Sequence, residues 1–165
     1  MCYLRILQGI IGGSENKKYK MNKILSLDIA TNTGWKTETT SGVWNLKPAR
    51  GESEGMRVVR FKSKVKELIE LEGINLIAYE RPAGKHKASI MVASEMTGVL
   101  KDLCIEKGVN VACYSATEIK RFATGKGNAN KDEMIDAAKA LGYNPKDDNE
   151  ADAIHLYLLA KKDLG

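Results

Sequence analysis

From residue 23 onward the apolar positions change rhythm repeatedly, and each change marks an element. KILSLDIA (23–30) is a short, β-branched, nearly continuous apolar run and reads as a strand. TGWKTET and SGVWNLK alternate, with a polar Thr/Ser-Gly turn between them, so the three runs predict an antiparallel meander. Between Ser53 and Glu72 the apolar residues Met56, Val59, Val65, Leu68, Ile69 and Leu71 fall at helical spacing, and Gly73 is a natural stop. INLIAYE is a buried strand closing on Glu80. Ser89 to Lys107 forms a second helix ended by Gly108, and its stripe Val92, Met96, Val99, Leu100 and Leu103 reads as core or, in a dimer, as part of an interface. VNVACY is a further strand. Three helical segments follow, Thr117–Ala123, Lys131–Leu141 and Asn149–Lys161, separated by the turn-rich GKGNAN and GYNPKDDN. The order β-β-β-α-β-α-β-α-α-α specifies an α/β fold with a mixed five-stranded sheet flanked by helices.

Residues 1–20 follow none of these rhythms. CYLRILQGIIGG is apolar but short, interrupted by Arg5 and Gln8, and lacks the clean apolar region of a signal peptide. MNKILSLDI, starting at Met21, reads as the opening of the domain. The expected organisation is therefore an N-terminal extension, 1–20, and a single domain, 21–165, a length that supports one full core.

Composition narrows the class without fixing it. The chain is 43% apolar and 28% charged, ordinary for a globular protein, and no apolar run approaches the ~20 residues of a membrane span. The net charge of +5 is compatible with a nucleic-acid partner, but Arg5, Lys17, Lys18 and Lys20 against Glu15 put +3 of it in the first 20 residues. Three scattered cysteines with no CxxC pattern indicate a reducing, cytoplasmic compartment, and two histidines exclude a His-rich zinc site.

Three acids stand where open sheets place their chemistry. Asp28 is near the carboxyl end of the first strand, Glu80 ends the fourth, and Asp152 lies in the first turns of the last helix. Neighbouring strands would bring Asp28 and Glu80 together, at a cost that a cation relieves. Mg²⁺ is the usual solution, and two such ions ~4 Å apart support phosphodiester cleavage. On spacing alone this is a candidate metal-dependent phosphoryl-transfer site. An Asp at a strand end is equally a turn or cap residue.

At this point the sequence resembles the RuvC family of Holliday-junction resolvases. ILSLDIATNTGW is similar to that family's first strand and turn, LIAYERP to its second acidic strand, YSATEIKRFATGKGNANKDEM to its tyrosine-to-lysine stretch, and DDNEADAIHLYLLA to its closing helix. The segments occur in family order over residues 23 to 162, and the sequence looks most similar to shorter phage and prophage members. The resemblance implies a ribonuclease H-like fold, a homodimer, and Mg²⁺-dependent (Mn²⁺ as substitute) two-metal cleavage of four-way and other branched DNA. Carried over by position, Asp28, Glu80 and Asp152 correspond to metal ligands. The fourth family position, three residues before the last acid, holds Asn149, while Asp148 precedes Asp152 by four and shares its helical face. Asp148 is therefore either the fourth ligand or an N-cap. Glu150 faces away, and His155 is expected as an exposed residue or one behind the ligands.

The cations are assigned on the same footing. Lys120 and Lys131 correspond to family lysines near the scissile phosphate, so Lys131 joins the acids as a catalytic candidate. Arg121 and Lys126 lie in the same Gly/Asn-rich stretch, where lysines could equally be ordinary solvated residues. Arg81, Lys85 and Lys87, with His86, follow Glu80 directly and are candidate DNA contacts, or else a plain exposed loop. Trp35 and Trp44 fit sheet packing better than base stacking. Three rival readings stand beside the resolvase. An actin- or hexokinase-type phosphotransferase would need a second domain and phosphate loop. The others are a ribonuclease H-like nuclease acting on RNA or flapped DNA, and a non-cleaving DNA-binding protein of the same fold.

Overall fold

A computed structural model describes residues 21–165, so the expected extension, 1–20, lies outside the described residues. The strands are β1 (Ile24–Asp28), β2 (Asn32–Lys36), β3 (Ser41–Asn45), β4 (Leu76–Glu80) and β5 (Asn110–Tyr114). The helices are α1 (Gly55–Glu72), α2 (Lys87–Lys107), α3 (Ala116–Thr124), α4 (Lys131–Ala140) and α5 (Asp148–Leu164). The sheet order is β3-β2-β1-β4-β5. β1, β2 and β3 pair antiparallel as a meander, whereas β4 lies parallel to β1 and β5 parallel to β4. The element order and the mixed five-stranded sheet agree with the sequence reading. Helix boundaries move by up to three residues, the usual uncertainty where ends are set by caps.

The period-2 alternation of each strand divides the molecule into two cores. Leu25 and Leu27 of β1 and Ile77 and Tyr79 of β4 point to one face, where Phe61, Val65 and Ile69 of α1 and Met96, Leu100 and Leu103 of α2 cover them. Ile24, Leu76, Ala78, Ala112 and Tyr114 point to the other face, covered by Ile119 of α3, Met134 of α4 and Leu156, Tyr157 and Ala160 of α5. Trp35 and Trp44 stack with ring centroids 5.5 Å apart and pack against the first core, as the sheet-packing reading expected.

α5 is the central helix of the second face and packs across β1, β2, β3 and β4. Its polar ties to the sheet are specific. Ser26 Oγ, fully buried, donates to the Ala153 carbonyl at 2.6 Å. Glu150 is buried, accepting from Ser41 Oγ at 2.7 Å and from the Lys146 amide at 2.9 Å, which ties β3 and the α4–α5 loop to the helix start. Lys36, also facing α5, is buried. Its ammonium donates to the Thr37 carbonyl at 2.7 Å and lies 5.1 Å and 5.5 Å from the ring centroids of Tyr157 and Tyr143, so two aromatic faces replace part of its lost hydration.

Candidate active site

The alternation that sorts the cores also sorts the acids. Asp28 shares the parity of Ile24 and Ser26, and Glu80 that of Leu76 and Ala78, so both carboxylates face α5. β1 and β4 are parallel neighbours, which puts both acids at the same carboxyl end of the sheet. α5 runs in above them with Asp148 as its first residue and Asp152 one turn later.

The cap question is settled by the backbone. Asp147, in an extended conformation, is the N-cap: its Oδ1 accepts from the Glu150 amide at 3.0 Å. Asp148 is thus released from capping, is already helical, and shares a face with Asp152. The Asn149 main chain lies against Gly34 of β2. Glu150 points away from the acids, as expected.

The carboxylates perturb one another strongly. Burial first, and then Glu80, Asp152, Asp148 and Asp147, hold the Asp28 carboxyl well above its ordinary range. Glu80 is pushed up to about 7 by burial and by Asp152, with Lys120 opposing. Asp152 is pushed up to about 6 by burial and by Asp148, with Lys120 and Lys131 opposing. Each acid also keeps some surface open to solvent. Acids whose environments all favour the neutral form, gathered at a sheet end, have a charge balance that a bound cation would relieve.

The donor set suits a hard divalent cation, which prefers carboxylate oxygens. Asp152 Oδ1 is buried with no hydrogen-bond partner among the described residues, so it offers an acceptor inside the cluster. Among the described residues no three His, Cys, Asp or Glu side chains are already drawn in around a common point. Asp148 is instead engaged by Lys131, whose Nζ is 2.5 Å from its Oδ2.

Of the expected cations, Lys120 and Lys131 reach this cluster, since both act on Asp152 and Lys120 also acts on Glu80. Lys126 is paired with Glu133 at 3.1 Å. Arg121 is exposed on α3. Lys85 and Lys87 are exposed on the path from β4 into α2. Arg81 follows Glu80 just past the end of β4, borders a cavity of about 390 Å³ with Ser94, Thr97, Lys101 and Cys113, and acts by its charge on Glu118 of α3. Of the two positions expected for His155, exposed or behind the ligands, the structure excludes the first. His155 is fully buried, with Nε2 2.9 Å from the Met134 carbonyl, and so joins α5 to α4 one turn after Lys131. Burial holds its imidazole below the usual range, and since the Met134 carbonyl can only accept, it is Nε2 that carries the proton and donates. Gly34, which the sequence reading did not single out, is the sheet residue opposite Asp28.

A mixed five-stranded sheet of this order, with acids from two parallel strand ends and a covering helix, defines a ribonuclease H-like domain with an acidic site. The chain belongs to the RuvC family: the family model described as "Crossover junction endodeoxyribonuclease RuvC" matches residues 28–159. Crossover junction endodeoxyribonuclease RuvC of Synechococcus sp. (strain CC9311) is 27% identical over 111 residues, covering 66% of this chain and 69% of the relative. That of Prochlorococcus marinus (strain MIT 9312) is 27% identical over 123 residues, covering 73% and 78%. Among solved structures, T. thermophilus RuvC in complex with Holliday junction substrate superposes with a TM-score of 0.68 at 19% identity, covering 86% of this chain and 96% of the other. The yeast mitochondrial Holliday junction resolvase Ydc2 gives 0.63 at 13% identity, covering 88% and 81%. At these identities the structural likeness is one of fold. No described helix is long and apolar enough to cross a membrane.

Proposed function

We propose that this protein is a divalent-metal-dependent endonuclease, Mg²⁺ being the physiological ion and Mn²⁺ a substitute, that cuts four-way DNA junctions in the cytoplasm. The observation that carries the reading is the convergence of Asp28, Glu80 and Asp152 on one side of one sheet end, each lifted toward its neutral form by burial and by the others. In this reading Asp28, Glu80, Asp148 and Asp152 are the metal-binding and catalytic acids. The bound ions would supply an activated water and stabilise the leaving oxygen of the broken phosphodiester. Asp148 is the fourth acid because it is helical, charged and on the face of Asp152. Asn149 has its main chain committed to the contact with Gly34.

The cations do complementary work. Lys120 and Lys131 stand beside the acids and neutralise the phosphate that enters there, and Lys131 exchanges its bond to Asp148 for one to the phosphate. Lys85, Lys87, Arg121 and Lys126 lie further out and serve the DNA arms, where contacts position rather than cut. Arg81, immediately after Glu80 at the strand end, is a further DNA contact. Paired cutting of a four-way junction calls for two sites, so the working unit is a homodimer, with residues 21–165 as the nuclease domain of each copy.

The test is cleavage of an immobile four-way junction with Mg²⁺ or Mn²⁺, beside duplex, flap, single-stranded and RNA–DNA substrates. Paired nicks on the junction alone are expected. Asp28→Asn, Glu80→Gln and Asp152→Asn should each abolish cutting while junction binding persists. Cutting confined to RNA–DNA hybrid or flap, or junction binding without cutting by the wild type, would replace this reading with one of its rivals.

A further inference from the structure

Gly34 occupies the point where the acid-bearing end of α5 meets the sheet. It lies in β2 directly opposite Asp28. A Cβ built on it would stand 1.9 Å from the Asn149 carbonyl oxygen, 2.4 Å from its carbonyl carbon and 3.1 Å from the Glu150 amide nitrogen. All three are main-chain atoms of the first turn of α5, so no side-chain rotation relieves the contact. To reach even the 3.0 Å below which real Cβ atoms essentially never come, helix and strand would have to part by more than 1 Å. A strand glycine is the residue that permits so close an approach of two backbones.

The approach matters because of what sits around it. Asn149 lies between Asp148 and the turn that carries Asp152, and the partner of Gly34 across the ladder is Asp28. Further along, the helix is held down by the 2.6 Å bond from Ser26 to the Ala153 carbonyl. A side chain at position 34 would therefore lift the start of the helix about that anchor, carrying Asp148 and Asp152 away from Asp28 and Glu80. Mg²⁺ demands near-ideal octahedral geometry at about 2.0–2.1 Å, and misplacement by ~1 Å can cost about 10²-fold in rate.

We propose that Gly34 is a positioning residue for the metal-binding acids: its missing side chain sets the height of α5 above the sheet and so the span between the two strand acids and the two helix acids. This rests on the metal-site reading above, and the experiment separates the two. Gly34→Ala and Gly42→Ala are compared with the wild type in the full chain. Gly42 is the fitting control, since it is also a buried strand glycine, but the atoms nearest its added Cβ belong to the Trp35 side chain, at 3.1–3.2 Å, and not to a main chain. The readouts are Mn²⁺ affinity by calorimetry without DNA, junction affinity in EDTA, and junction cleavage. The expected result is a folded Gly34→Ala protein with Mn²⁺ affinity down at least about tenfold, cleavage down about 10²-fold and junction affinity unchanged. Gly42→Ala should keep its Mn²⁺ affinity.

A folded Gly34→Ala protein with wild-type Mn²⁺ affinity overturns the proposal, and so does an equal loss in Gly42→Ala, which would mark general sheet damage. If Gly34→Ala does not fold, Ser26→Ala tests the same seat by removing a tie without adding volume. Its Mn²⁺ affinity should fall about threefold or more, and unchanged affinity overturns the proposal. A wild type that takes up no Mn²⁺ and cuts no junction fails the metal-site reading itself, whatever the variants do, and the role of Gly34 falls with it.

Discussion

Replacing Glu80 by Gln should make the metal-free protein more stable at pH 8 and not at pH 5. The carboxyl is pushed up to about 7 from an ordinary 4.5 by burial and by Asp152. Below pH 4.5 it is protonated in both folded and unfolded chains and contributes no difference. As the pH rises from there through 7, the unfolded chain ionises first, while the folded one must hold the proton or bear a buried charge. The stability tied to the protonated form is therefore lost across that window. A tenfold change in proton affinity is worth ~1.4 kcal/mol, so the ionised carboxylate costs the fold roughly 3 kcal/mol at pH 8 as an upper bound. Gln carries no such charge, and its loss also eases Asp28, whose carboxyl is raised by Glu80. An unsatisfied amide would cost about 1–3 kcal/mol, but equally at both pH values. The assay is thermal unfolding in EDTA at pH 5 and pH 8, with the variant's gain over wild type growing by roughly 5–10 °C between them. Adding Mg²⁺ at pH 8 should reverse the order, because only the wild type keeps the full acid set. A gap between the two proteins that is the same at both pH values would refute the electrostatic account of this site.

Asp148→Ala should cut at least about tenfold less well than Asn149→Ala, with partial rescue by raised Mn²⁺. Asp147→Ala, which removes the cap, should lose ~1 kcal/mol of stability with no change in metal dependence. Melting temperatures and metal-titrated cleavage of the three variants check both statements. Lys120→Ala and Lys131→Ala should each lower cleavage by about 10–100-fold and reduce the salt slope of junction binding by about one, read by binding titrations across salt concentrations. A chain starting at Met21 should melt and cut as the full chain does, and a large drop in melting temperature would show that residues 1–20 belong to the domain.

The elements that carry the candidate acids were readable from the chain because they depend on periodicity. The strands and their closing acids are legible as short apolar runs ending on Asp28 and Glu80, but both runs are buried on both faces, so only the observed parallel pairing of β1 with β4 makes the two acids neighbours. The cap of α5 was not readable. Asp147, Asp148 and Asn149 can all cap a helix, and only the extended backbone of Asp147 decides among them. Which of its two expected positions His155 takes was not readable, because position on a helix face does not say which neighbouring helix covers it; α4 does. Lys36 would be assigned to solvent by its charge, yet its ammonium ends between the rings of two tyrosines more than a hundred residues away. Gly34 is silent for the same reason: its constraint is the main chain of a helix that closes the fold from a distant part of the sequence.

The scattered origin of the acids also governs when the protein can act. Asp28, Glu80 and the pair Asp148 and Asp152 come from early, middle and late stretches of the polypeptide. A nascent chain halted anywhere before residue 148 holds at most two of the four and lacks α5 over them. The same helix covers the sheet face bearing Ile24, Leu76 and Ala78. Until α5 has been made and has docked, the growing chain is therefore both incompetent as a nuclease and sticky on one side. Synthesis itself imposes an order of events in which shelter of the apolar face and assembly of the site arrive in a single step.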